Sequence, residues 1–121
     1  MDNAQEISDD DLLYRRFYHK SCRRDGRLTL ATYTLPKSSI PDPEISVDLE
    51  RLTTSEETLA KAPGGFGLGV LSAGDVRRLG FTVRYQPLPD NNAHCIIEGV
   101  KTEEDCDRLA EVTRVHTPPR G

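Results

Sequence analysis

His94 is the residue whose surroundings in the sequence most invite chemistry. It follows Asn91-Asn92 and opens an apolar run, Cys95-Ile96-Ile97. An imidazole at such an entrance can serve as a general acid or base, with an arginine or the Asn91 and Asn92 amides polarising a substrate. The same ring could equally fix its loop by hydrogen bonds alone. Strand alternation sends His94 and Cys95 to opposite faces, so a single cleft receives at most one of them. Ser46 and Asp48 also share a face of an alternating segment, and with Arg15 or Arg16 they would line a small polar cleft.

Other constellations are weaker. His19 and Cys22 have a metal-like spacing that His94, Cys95 or Cys106 would have to complete, whereas structural zinc sites usually show two close pairs. We expect no metal and no cofactor. Cys22, among cations, is the one thiol with a reason for a lowered pKa; Cys95 and Cys106 read as small core residues. The glycines of Gly64-Gly65-Phe66-Gly67-Leu68-Gly69 follow a helix signal and lead into a strand, the reverse of a dinucleotide-binding loop. They read as a turn with close backbone packing. There is no G-x-S-x-G elbow and no HExxH helix.

A second kind of chemistry lies nearer the start. Tyr14, Arg15, Arg16, Phe17 and Tyr18 interleave aromatic and cationic side chains, and Arg23 and Arg24 follow. Tyr and Arg are the residues most enriched at protein interface hot spots, so this segment is the expected contact surface for a protein partner. Single-stranded nucleic acid is the alternative ligand, because such side chains stack bases and hold phosphates. An overall pI near 5.3 argues against a dedicated nucleic-acid binder. Residues 1–11 carry a charge of −5 and residues 12–27 carry +5, so an acidic leader adjoins a basic segment and should attract it at low salt.

The elements that must position these groups follow from period and punctuation. Residues 12–19 read as a short helix, from the i, i+3, i+4 spacing of the aromatics, or else as a first strand. Residues 28–35 and 44–49 read as strands, the second with Ile45, Val47 and Leu49 on one face. The prolines of 36–43 mark a loop. Thr54, Ser72 and Thr102 each stand three residues before a carboxylate and predict helix starts. Gly80 is the expected left-handed stop after the second helix. Residues 67–71, 81–86 and 93–100 read as further strands, the last two joined as an antiparallel hairpin. Cys106, Leu109, Ala110 and Thr113 follow the helical period.

At 121 residues, 36% apolar and 30% charged, the chain has the length of one domain with a core of its own. No apolar run approaches the roughly 20 residues of a membrane helix, and the acidic start is unlike a secretory or mitochondrial leader. Three cysteines without a CxxC pair favour a reducing, cytoplasmic setting. The expected fold is α+β: a four- to five-stranded mixed or mainly antiparallel sheet, with two or three short helices packed on one face. Residues 1–8 are expected to be an acidic leader without fixed structure, 9–115 the domain and 116–121 an irregular tail. The function expected is a small non-catalytic module docking into a larger cytoplasmic assembly. The competing readings are a toxin-like enzyme acting on RNA or a nucleotide, with His94 as acid/base, and a single-stranded nucleic-acid-binding module.

Overall fold

Extended segments rich in Leu, Ile and Val must pair their backbone groups, and in a computed structural model six of them do so with one another. It describes residues 6–21, 23, 25–62 and 64–119. The strands are β1 (Leu12–Tyr18), β2 (Ile45–Leu49), β3 (Phe66–Ser72), β4 (Thr82–Tyr85), β5 (His94–Glu98) and β6 (Arg114–Thr117). Among the described residues they form one sheet in the order β4-β5-β2-β1-β3-β6, and every neighbouring pair is antiparallel. Three α-helices accompany it among those residues: α1 (Ser55–Ala60), α2 (Ala73–Arg78) and α3 (Glu103–Glu111).

The α+β class is as expected, but the sheet has six strands rather than four or five. Residues 12–18 are a central strand, not a helix. Residues 114–117 are an edge strand where an irregular tail was expected to begin. Residues 28–35 are not a strand: Thr29 caps a 3-10 turn, Leu30–Thr32, by accepting from Ala31 N at 3.3 Å. That turn rotates Tyr33 inward, where it is completely buried.

Alternation sorts the side chains onto two faces. Leu13 and Phe17 of β1, Ile45, Val47 and Leu49 of β2, Leu71 of β3, and Cys95 and Ile97 of β5 make the main core with Val76 of α2 and Cys106 and Leu109 of α3. Full burial of a Leu, Ile or Phe side chain is worth about 1.5–3 kcal/mol, so this layer supplies most of the driving force. The opposite face carries a smaller cluster, Tyr14, Leu68 and Val70, packed against Leu59 of α1. The helices therefore lie on both faces, not one.

The helix starts follow the caps read from the sequence. Thr54 accepts from Glu57 N at 3.1 Å, Ser72 from Asp75 N at 3.0 Å and Thr102 from Asp105 N at 3.0 Å. Only the last is a reciprocal capping box. Gly80 adopts φ +95°, beyond the end of α2.

Residues 6–11 run along the sheet end where β1 starts. Asp11 pairs with Arg51 at 3.0 Å, Asp9 pairs with Arg77 at 2.7 Å, and Ile7 packs on the main core. These acidic groups are thus spent on Arg51 and Arg77 rather than on the basic residues of 12–27.

Glycines let β3 receive its neighbours closely. A Cβ on Gly67 would lie 2.6 Å from Phe17 Cζ and 2.7 Å from the Thr117 carbonyl oxygen. Gly67→Ala should therefore push β6 off β3 and cost about 1–3 kcal/mol, the usual range for overpacking. Chemical denaturation should show a lower midpoint at unchanged slope. A midpoint equal to the parent's would show that β6 does not press on β3 at this position.

Candidate functional site

Two polar groups on the second face of β2 organise the site. Asp48 is 1% exposed, and a bare carboxylate at such a position would be costly. It is satisfied from four sides: Asn91 Nδ2 donates at 2.8 Å, Thr58 Oγ1 at 3.0 Å and Arg16 Nη1 at 3.4 Å, while Lys61 Nζ stands 3.8 Å away. One carboxylate thereby joins β1, β2, α1 and the β4–β5 loop. Arg16 also donates to the Thr58 carbonyl at 3.3 Å, which fixes the guanidinium against α1.

His94, the register partner of Asp48, sits beside it on β5 and is 8% exposed. Its Nδ1 is 2.8 Å from the Gln86 carbonyl oxygen and its Nε2 is 3.1 Å from Ser46 Oγ. A carbonyl can only accept, so in the neutral ring Nδ1 carries the proton and Nε2 accepts from the Ser46 hydroxyl. The ring is therefore held in one tautomer and also ties the β4–β5 loop to β2. The two constellations expected from the sequence, His94 with Asn91 and Ser46 with Asp48 and Arg16, meet on one face.

Arg15 goes the other way. Alternation places it on the main core face, where it donates to the Thr32 carbonyl at 3.0 Å and the Ser46 carbonyl at 2.9 Å. Asp42 lies 3.6 Å away and the Tyr33 ring centroid 5.3 Å. Burial lowers the Arg15 pKa, partly offset by Tyr33 and Asp42. Arg15 is thus separated by the sheet from His94, and of the two arginines expected at the polar cleft only Arg16 lies on that face.

The expected contact surface is divided in the same manner. Phe17 is 1% exposed and Tyr14 8%, whereas Tyr18 is 44% exposed and Arg23 is exposed. Arg24 and Cys22 lie outside the described residues. Tyr18 meets Phe66 edge-on at 5.6 Å between ring centroids. The sequence pattern starts this strand at Gly67, and the structure starts it one residue earlier, at Phe66.

Among the described residues no three His, Cys, Asp or Glu side chains cluster as metal ligands. Cys95 and Cys106 are buried in the main core, and burial pushes their thiols up to about 12 and about 11. Burial likewise raises Tyr33 to about 12. Also among those residues, no helix is long and apolar enough to cross a membrane. No family model, curated protein or solved structure matches the chain.

Two outcomes follow. Asp48→Ala should strand Arg16, Thr58 and Asn91 and cost about 2–3 kcal/mol, below the ~3–5 of a fully buried pair because Arg16 and Lys61 retain water. Urea denaturation measures this, and a loss under about 0.5 kcal/mol would remove Asp48 as the organising group. The raised thiol and phenol values mean that the unfolded chain releases protons before the folded one does. Stability should hold through neutral pH and fall above pH ~9, by up to about 1.4 kcal/mol per pH unit for each of Cys95 and Cys106. A melting temperature flat from pH 8 to 10.5 would contradict this burial.

Proposed function

We propose that the chain is a small interaction module that docks into a larger cytoplasmic protein assembly through the far end of β1. The observation that carries this reading is an exposed aromatic, Tyr18, on a half-buried Phe66, beside a cationic turn. Thr29 N donates to the Ser21 carbonyl at 2.8 Å and Arg23 N to the Arg27 carbonyl at 2.7 Å, so the chain reverses direction around Asp25 and Gly26. A 3-10 turn (His19–Ser21) joins this reversal to Tyr18; Lys20 in that turn and Arg23 and Arg27 beyond it are exposed, with Asp25 3.7 Å from Arg27. Aromatic and arginine side chains supply large contact area and bidentate donors, the usual ingredients of an interface hot spot. Two of the leader acids, Asp11 and Asp9, are held at the other end of β1 by Arg51 and Arg77.

Arg15 and Arg16 belong to the framework, so substituting them would test folding rather than docking. The informative variant is Tyr18→Ser with Arg23→Glu. A tagged chain expressed in its own host should retain a stoichiometric protein partner that survives nuclease. The double variant should retain at least about tenfold less of it, the equivalent of ~1.4 kcal/mol, at an unchanged melting temperature. Equal retention by the variant would remove the docking reading. Recovery of nuclease-sensitive nucleic acid alone would replace it with the single-stranded nucleic-acid reading.

A further inference from the structure

β4 is an end strand of the sheet that the described residues form. Just past it, Gln86 N donates to the His94 carbonyl at 2.9 Å. In an antiparallel ladder the amides turn toward the partner at every second residue. Arg84 and Thr82 therefore face β5, and Val83 turns its N–H and carbonyl outward. A groove of about 470 Å³ follows this edge, walled by all four residues of β4 with Pro87 and Glu98. Outward backbone donors and acceptors are the template on which an extended segment adds as a further strand.

The two sides of that edge require different side chains. On the main-core side Val83 and Tyr85 are half-buried and pack on the core, so an added strand extends it there with apolar residues. On the other side the register carries a row across three strands. Ile45 pairs with Ile97, so the same register continued brings Glu44 opposite Glu98, and Glu98 pairs with Thr82. Like charges on neighbouring strands repel. Arg84 pairs with Glu98 at 3.2 Å, whereas Glu44 has no ion pair among the described residues, and the row is left net negative. Glu44, Glu98 and Arg84 line one cleft of about 320 Å³ with Asp42, which lies 3.6 Å from Arg15. The next place in the row lies beyond Thr82, about 10 Å from Glu98 at two strand spacings. An extended lysine or arginine and the glutamate cover that span together.

We propose that β4 is a docking edge for an extended basic segment of a partner protein. The segment adds as a further strand, with apolar residues beside Val83 and Tyr85 and a lysine or arginine directed at Glu98 and Glu44. Its backbone bonds to Val83 supply affinity, and its alternate side chains supply specificity. A second copy of this chain has the wrong charge for the edge: its own β4 carries one arginine, already paired with Glu98, and the chain has a net charge of −4. The site is independent of docking at Tyr18, since β5 and β2 separate β4 from β1.

The test uses the full chain and two fluorescent hexapeptides, one alternating valine and lysine, the other valine and glutamate. Anisotropy gives affinity, and hydrogen exchange is read at the Val83 amide. The lysine peptide should bind at least about tenfold more tightly than the glutamate peptide and slow exchange at Val83. Glu44→Gln, at an exposed side chain, should weaken it about two- to fivefold, a difference that roughly 1 M salt removes. Val83→Pro should weaken it about three- to tenfold, since proline deletes the outward donor and spares the bonds to β5. If Val83→Pro fails to fold, a valine–lysine peptide N-methylated along its backbone takes its place and should lose binding to the parent by at least that factor. The Tyr18→Ser, Arg23→Glu variant should bind the lysine peptide as the parent does, which separates this edge from the Tyr18 surface. Equal binding of the two peptides, binding that leaves Val83 exchange unchanged, or a dimer of the chain that protects Val83 without peptide would overturn the proposal.

Discussion

The rest of the structure depends on a charge kept where charges are expensive. Arg15 points into the main core, and an unpaired cation there would cost several kcal/mol. Two backbone carbonyls, the Asp42 carboxylate and the face of Tyr33 surround it instead. These partners come from three stretches of chain: the 3-10 turn at Leu30–Thr32 with Tyr33 at its end, the loop before β2, and β2 itself. Among the described residues the long segment between β1 and β2 contains no strand, and isolated bridges such as Thr34 to Pro41 are its only ladder. Its shape is set by what Arg15 and Tyr33 demand. Tyr33 extends the constraint further: its hydroxyl donates to Thr113, which passes its own proton to the Leu109 carbonyl at 2.7 Å. The end of α3 is thereby keyed to the same turn.

Asp48 plays the corresponding part on the second face with the sign reversed. The two central strands thus carry a buried cation on one side and a buried anion on the other, each satisfied locally rather than by the other. Ser46 belongs to both networks, through its carbonyl to Arg15 and through its hydroxyl to His94, and this removes most of the freedom a surface serine would have.

What was legible in the sequence depended on how each segment meets water. β2 was plain, since Ile45, Val47 and Leu49 alternate with polar residues whose own burial needs tertiary contacts. The helix caps at Thr54, Ser72 and Thr102 were plain because they are local chemistry. β1 was ambiguous for a physical reason. A central strand covered on both faces loses its apolar–polar alternation, and LLYRRFY then imitates a helical stripe through Leu13, Tyr14, Phe17 and Tyr18. β6 was hidden because the helical period of α3 appears to continue to Thr113, which is buried through its bond to Tyr33 and not by being helical. In the site, His94, Ser46 and Asp48 were visible as types. That Arg15 would turn away from them while Arg16 turned toward them required knowing that the segment is a strand.

The strand order has a consequence for how the chain reaches this state. β1 and β2 sit at the centre, β3 and β5 flank them, and β4 and β6 close the edges. Construction can therefore proceed outward from a nucleus of early strands, with β1 meeting β3 along seven residue pairs. Several of these pairings join distant parts of the chain, so loop-closure entropy must be met before contacts repay it, and assembly should be slow for a domain this size. Until residues 114–117 are added, the outer rim of β3 presents unpaired amides flanked by Gly67 and Gly69, with little side-chain bulk to shield them. The hazard for this protein is therefore kinetic: the interval before its sixth strand docks is the time in which one chain could add to another.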